Sequence, residues 1–172
     1  MLHSGSTVGA KRLPPAAVRE PADLKADTYR AAWLILGGAK RFGPQPCSPQ
    51  EVHNAILKGV PFDSLLHLMR TFPALRASDV GAVLGISART LQRQENTPQR
   101  NMPTQLASAT WRFAEVLALA EHILGGAEEA QRWMIRPALG LDVQRPIDML
   151  RTVPGTEVVE EFLMRLEYGV YT

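Results

Sequence analysis

Residues 104–124 read TQLASATWRFAEVLALAEHIL, a segment apolar on nearly every side at helical spacing. Leu106, Phe113, Leu117 and Leu124 make one stripe; Trp111, Leu119 and Ile123 add a second. The polar strip of Ser108, Arg112, Glu115 and His122 is narrow, and Gly125-Gly126 closes the run. A helix this apolar must be covered on most sides, so it is either the centre of a fold or a dimer interface. The chain has 172 residues, 45% of them apolar, which is enough to bury a core in one or two small domains.

Shorter helices flank this one. Residues 1–21 carry Gly, Ser and Pro with few large apolar groups, and read as a mobile tail. Leu24, Tyr29, Ala32, Trp33 and Leu36 then mark a helix stopped by Gly37-Gly38. Ser48-Pro49-Gln50-Glu51 has the form of a capping box with proline in the first turn. Val52, Ala55 and Ile56 are the apolar face that follows, and Gly59 stands at the left-handed C-terminal position. Pro61 opens a helix with Phe62, Leu65, Leu66, Leu68 and Met69 inward. Beyond residue 124 the pattern predicts three short helices, over 128–135, 146–150 and 157–168. The last has Val158, Val159, Phe162, Leu163 and Leu166 inward and Gly169 as its stop. Alternating strand patterns are absent beyond a few residues, so the fold class is all-α.

Residues 78–94 satisfy several requirements of a helix-turn-helix at once. Gly81 is small where the second helix must cross the first. Gly85 permits the positive φ of the tight turn. Val80, Leu84, Ile86 and Leu91 plug the angle between the helices, and Ser87 caps the second helix, leaving its N-terminus to face a phosphate. Arg89, Thr90, Gln92 and Arg93 then point outward together with Ala88. Arg reads guanine or clamps a phosphate, Gln reads adenine, and Thr meets a phosphate or a thymine methyl. Between residues 70 and 100, Arg70, Arg76, Arg89, Arg93 and Arg100 face only Asp79 and Glu95. This makes a mild basic face in a chain whose net charge is only +2, suited to a homodimer on two half-sites of operator DNA.

Other chemistries find little support. His3, His53, His67 and His122 stand one per segment without spaced partners, and the lone Cys47 belongs to no zinc-type cluster. Glycine-rich phosphate loops, nucleophile elbows and HExxH are absent, so neither enzyme activity, nor a cofactor, nor a metal is expected. Trp33, Trp111 and Trp133 read as core, and Glu157, Glu160 and Glu161 as a solvated face. No stretch approaches the ~20 apolar residues of a membrane span, and a cytoplasmic location is expected.

The two ends of the pattern together resemble a known family. Gly59-Val60-Pro61 followed by Leu84-Gly85-Ile86-Ser87-Ala88-Arg89-Thr90-Leu91-Gln92-Arg93 resembles the Xre-type module of the Xre/MbcA/ParS antitoxins. The C-terminal match is more specific: Pro137-Ala138-Leu139-Gly140, Arg145-Pro146-Ile147-Asp148-Met149-Leu150, Thr152, Gly155, and Glu167-Tyr168-Gly169-Val170-Tyr171. The match covers roughly residues 26–172, with one departure: Gln94-Glu95 stands where a basic pair is typical.

The resemblance implies a helix-turn-helix DNA-binding and dimerisation domain over 22–102. A central helix plus a small helical toxin-binding domain follow over 103–172. It implies a partner toxin of the RES type, which destroys NAD, or a related ADP-ribosyltransferase. The plug entering the toxin's active site would be Tyr168, Gly169, Val170, Tyr171 and Thr172, with Arg165 and Glu167 at its base. On the residues alone, Tyr168, Val170 and Tyr171 read rather as a terminus folded back over the last helix, and it is the resemblance that favours the plug. A plain dimeric regulator without a toxin, or a protein-interaction module without DNA contact, are the rival readings.

Overall fold

Why the long apolar helix needs so many neighbours is answered by what surrounds it. A computed structural model describes residues 21–169. Among them the chain is all-helical: α1 (Pro21–Ile35), α2 (Pro49–Lys58), α3 (Phe62–Thr71), α4 (Ala77–Leu84), α5 (Ala88–Gln94), α6 (Thr104–Leu124), α7 (Ala127–Met134), α8 (Pro146–Met149) and α9 (Val153–Glu167). Short 3₁₀ turns lie at Gly38–Lys40 and Leu139–Leu141. The expected tail over 1–21 lies outside the described residues, apart from Pro21, which opens α1.

Helix α6 is the centre of this one chain. It packs against α1, α2, α4, α7 and α9, and buries Leu106, Trp111, Phe113, Val116, Leu117 and Leu119 together with alanines at 107, 114, 118 and 120. Each fully buried Leu or Phe contributes about 2 kcal/mol. Trp111 is the pivot: the Tyr29 ring meets it edge-on at 5.8 Å and Phe42 lies against it at 4.9 Å. These two contacts fasten α1 and the segment after it. Trp33 closes that segment by donating its indole N–H to Gly43 O at 2.8 Å. Trp33 and Trp133 are half-buried at the edge of the core, and only Trp111 lies fully inside.

Helix starts follow local chemistry. The Ser48 hydroxyl accepts from the Glu51 N–H, as expected of the cap, but the Glu51 carboxylate reaches back to the Cys47 N–H at 2.7 Å, one residue beyond the box partner. Gly59 has φ 113° and ψ 129°, a positive φ outside the expected left-handed helical region. An added Cβ there would meet the Asn101 amide. The last helix begins at Val153, four residues before the expected start. The Thr152 hydroxyl accepts from the Gly155 N–H at 3.1 Å, so Pro154 and Gly155 sit inside the first turn. Val158 is exposed, correcting its inward assignment. Val159 and Leu163 are fully buried, while Phe162 and Leu166 are partly so.

The α4–α5 corner obeys the sequence argument. Gly85 has φ 69° and ψ 26°. Val80, Leu84 and Leu91 are buried, and Ile86 packs against them. Gly81 is tight against the turn: a Cβ there would lie 2.4 Å from the Ile86 carbonyl oxygen, a backbone atom that cannot swing aside. In an open helix interior Gly→Ala stabilises by about 0.5–1 kcal/mol. Here the sign reverses, because overpacking costs about 1–3 kcal/mol. Gly81→Ala is expected to lower Tm by about 2–12 °C in thermal denaturation followed by circular dichroism; a rise would refute the close crossing.

Candidate functional site

Two surfaces gather the residues singled out from the sequence. The first is α5. The Ser87 hydroxyl accepts from the Thr90 N–H at 3.0 Å and lies 2.9 Å from the Thr90 hydroxyl, so these two side chains form the cap together. Arg89, Gln92 and Arg93 are exposed, and with Thr90 and Asn96 they line one concave patch. Asn96 had not been singled out; it follows the helix directly and had no motif signal. Gln94 is buried and accepts from the Thr97 hydroxyl at 3.2 Å. A basic residue in place of Gln94 would bury a charge, whereas Glu95 beside it is exposed. The basic face is also smaller than the count of arginines suggests. Asp63 accepts from Arg41 at 2.6 Å and from Arg70 at 3.1 Å, so the charge of Arg70 is partly offset by a neighbouring carboxylate.

The second surface is the end of α9. Tyr168 is exposed, and its N–H donates to Met164 O at 3.1 Å. Gly169 follows with φ 63°, turning the chain off the helix axis. Glu167 lies 3.6 Å from the His122 imidazole, tying the last turn of α9 to α6. Arg165 sits over the Phe162 ring at 5.9 Å. Val170, Tyr171 and Thr172 lie outside the described residues.

Between these surfaces run two polar links that the sequence did not announce. Arg145 of the α8 cap makes a bidentate contact with Asp148 at 2.6 and 2.9 Å, and also reaches Asp79 of α4 at 3.2 Å. Arg112 of α6 pairs with Glu160 of α9 at 3.1 Å. Glu160 is therefore no part of a solvated face. Beside it Glu115 sits in a cleft among α1, α6 and α9, with Lys25, Tyr29 and Arg112. Burial pushes its carboxyl up to about 7, against the opposing pull of Arg112, a Trp111 hydrogen bond and Lys25. His67 is half-buried beside the Thr71 hydroxyl at 3.2 Å, and burial together with Arg41 and Arg70 lowers its affinity for a proton. Among the described residues no group of three metal-ligating side chains gathers, and no helix is long and apolar enough to cross a membrane.

An all-helical chain with a helix-turn-helix corner and a compact C-terminal group of helices is the class these elements define. Residues 119–169 match the family model described as the antitoxin Xre/MbcA/ParS C-terminal toxin-binding domain. An antitoxin Xre of Yersinia enterocolitica is 30% identical over 108 residues, covering 62% of this chain and 70% of the relative. An antitoxin Xre of Pseudomonas putida is 37% identical over 59 residues, 34% of this chain and 37% of that relative's length. The crystal structure of the M. tuberculosis MbcT–MbcA toxin–antitoxin complex includes a chain at TM-score 0.40 and 24% identity, covering 56% of this chain and 84% of that one. That likeness is too low to bear on the function of this chain. The chain belongs to the Xre antitoxin family, and carries its C-terminal toxin-binding domain.

The electrostatics of the α1–α6–α9 cleft set a pH dependence. With its proton affinity raised, Glu115 in the folded chain keeps a proton that the unfolded chain releases above its ordinary value near 4.5. The contribution of Glu115 to stability therefore falls as pH rises from about 5 to about 7, by on the order of 1–3 kcal/mol, and is level above that, while His67, with its proton affinity lowered, acts in the opposite direction. Urea denaturation of Glu115→Gln across this range is expected to give a flatter profile than the parent chain; an unchanged slope would remove Glu115 as its source.

Proposed function

We propose that this chain neutralises a partner toxin by lodging its C-terminal end, residues 168–172, in the toxin's active site, and that it represses its own operon through α5. The observation that carries the reading is the form of the α9 terminus. Tyr168 at the end of α9 is exposed, and Gly169 after it takes a positive φ that ends the helical geometry. An exposed aromatic side chain at the last turn of a helix is a typical anchor for a partner's cleft. The sequence that follows, Val170-Tyr171-Thr172, adds another aromatic and no side-chain charge.

The toxin is taken to be a RES-type, NAD-degrading protein or a related ADP-ribosyltransferase encoded by the adjacent gene. Labour is divided along the chain: residues 22–102 bind DNA and dimerise, and residues 103–172 hold the toxin. A homodimer places two α5 helices in successive major grooves of a palindromic operator. Arg89, Gln92 and Arg93 carry base and phosphate contact there, with Ser87 and Thr90 shaping the start of the helix.

Co-expression with the neighbouring toxin tests the plug. Full-length chain is expected to restore growth and to halt NAD consumption, while a chain ending at Glu167 binds the toxin but does not protect. Equal protection by both would place neutralisation elsewhere. Absence of binding by either would favour the plain dimeric regulator.

Binding to a fragment spanning the chain's own promoter tests the second role. Arg89→Ala with Arg93→Ala is expected to weaken binding at least about tenfold and to reduce the slope of log affinity against log salt by about 1–2 per protomer. Unchanged affinity and slope would leave α5 without a DNA role.

A further inference from the structure

The turn over residues 138–144 connects α7 to α8, and it is built rather than loose. The Ala138 N–H donates to Gln144 O at 3.0 Å, the Val143 N–H to Ala138 O at 3.0 Å, and the Gln144 N–H to Leu141 O at 2.9 Å. Leu141 is buried and anchors it. Yet the same turn holds Leu139 90% exposed, the most exposed of the large apolar residues in the described part of the chain, and Val143 61% exposed. Val143 has φ 61°, and Asp142 before it φ 51°. A β-branched residue in the left-handed region is strained, and glycine or asparagine would hold this turn without that cost. Strain held by a hydrogen-bonded frame, with two apolar side chains turned to solvent, marks a contact point rather than a connection.

Its place in the fold identifies what it contacts. The turn lies directly on α9: a Cβ on Gly140 would overlap the Phe162 ring. Phe162 is stacked on Trp133 at 6.0 Å, with ring planes 4° apart, and Arg165 lies over its other part. Phe162 and Arg165 are three residues apart, so they share one face of α9. From Phe162 the helix runs on to its end at Glu167, a rise of about 7.5 Å. The exposed turn and the point where the chain leaves α9 are therefore neighbours on one side of the toxin-binding domain.

We infer that Leu139 and Val143 form a second, apolar grip on the partner toxin, seated beside the cleft that receives the chain end. The inference rests on the antitoxin reading above and divides its labour: the turn supplies affinity, and the last residues supply inhibition. The occupant is an apolar depression on the toxin's surface, since the turn presents a leucine and a valine and its one carboxylate is Asp142.

The test is the affinity of the purified toxin from the adjacent gene for the full chain, for Leu139→Asp and for Val143→Gly. The same two changes are also made in the chain ending at Glu167. Leu139→Asp is expected to weaken binding at least about tenfold, and Val143→Gly several-fold, in both backgrounds. Tm should stay within about 2 °C of the parent for Leu139→Asp, because so exposed a side chain packs on little. At saturating concentration the full-length Leu139→Asp chain should still inhibit the toxin, which a loss of the plug would not allow. If the parent binds and both variants bind within about twofold of it, the grip is refuted while the antitoxin reading stands. If Leu139→Asp instead converts a dimer to a monomer at unchanged toxin affinity, the turn serves a second copy and the inference falls. If the parent chain itself does not bind, the antitoxin reading fails and takes this inference with it.

Discussion

Trp111 is where the fold is held together. One large ring, buried on α6, receives Tyr29 from α1 edge-on and Phe42 from the connection that follows. A ring pair of this kind contributes about 0.5–1.5 kcal/mol beyond the area it buries. The geometry matters more than the sum. Once α1 is fixed across α6, Trp33 reaches Gly43 O and the chain is returned toward α2. Much of the remaining circumference of α6 is then covered by α7 and α9. The large rings and most of the leucines of α6 are thus buried within one chain, while a groove along Ala109, Phe113 and Val116 stays open to solvent.

Polar links across the molecule work differently. Arg145 between Asp148 and Asp79, and Arg112 with Glu160, are partly exposed pairs, and such pairs usually contribute little to stability. Their value is in register. The planar guanidinium of Arg145 meets one carboxylate in bidentate fashion and a second from α4, which fixes the rotation of α8 against the helix-turn-helix corner. Arg112 likewise sets α9 against α6. The helices that carry the toxin-binding match are thereby keyed to those that carry α5.

What could be read in the sequence was what local chemistry decides. Gly81, Gly85 and Ser87 announce the α4–α5 corner because each answers a requirement within a few residues of itself. The Ser48 cap and the glycine after α6 are of the same kind. The start of α9 was hidden because Pro154 and Gly155 look like breakers, and only the Thr152 hydroxyl turns them into a first turn. Glu160 looked solvated because its partner, Arg112, lies 48 residues away. Gln94 stood out only as a departure from the family pattern; its burial depends on the segment around Thr97, whose hydroxyl donates to it. The candidate DNA face was legible as a set of side chains. The turn over 138–144 was legible only as part of a motif, since nothing in Leu-Gly-Leu-Asp-Val tells that the valine adopts a positive φ.

The glycines of that motif have a physical reason that the pattern alone does not supply. Neither Gly140 nor Gly155 has a positive φ. Each is required because something else occupies the place of its side chain. At Gly140 it is the Phe162 ring, and at Gly155 it is the Met149 carbonyl oxygen, 2.1 Å from where a Cβ would stand. Gly155 thus lets α8 end directly against the first turn of α9. Gly140 lets the 3₁₀ turn settle on the ring that Trp133 holds from its face. A methyl at either position would push α8 or the turn outward. That would disturb the stacking of Trp133 on Phe162 and the place of Arg165 over that ring. The two small residues thus let α8 and the turn close on α9, as the packing of that side of the domain requires.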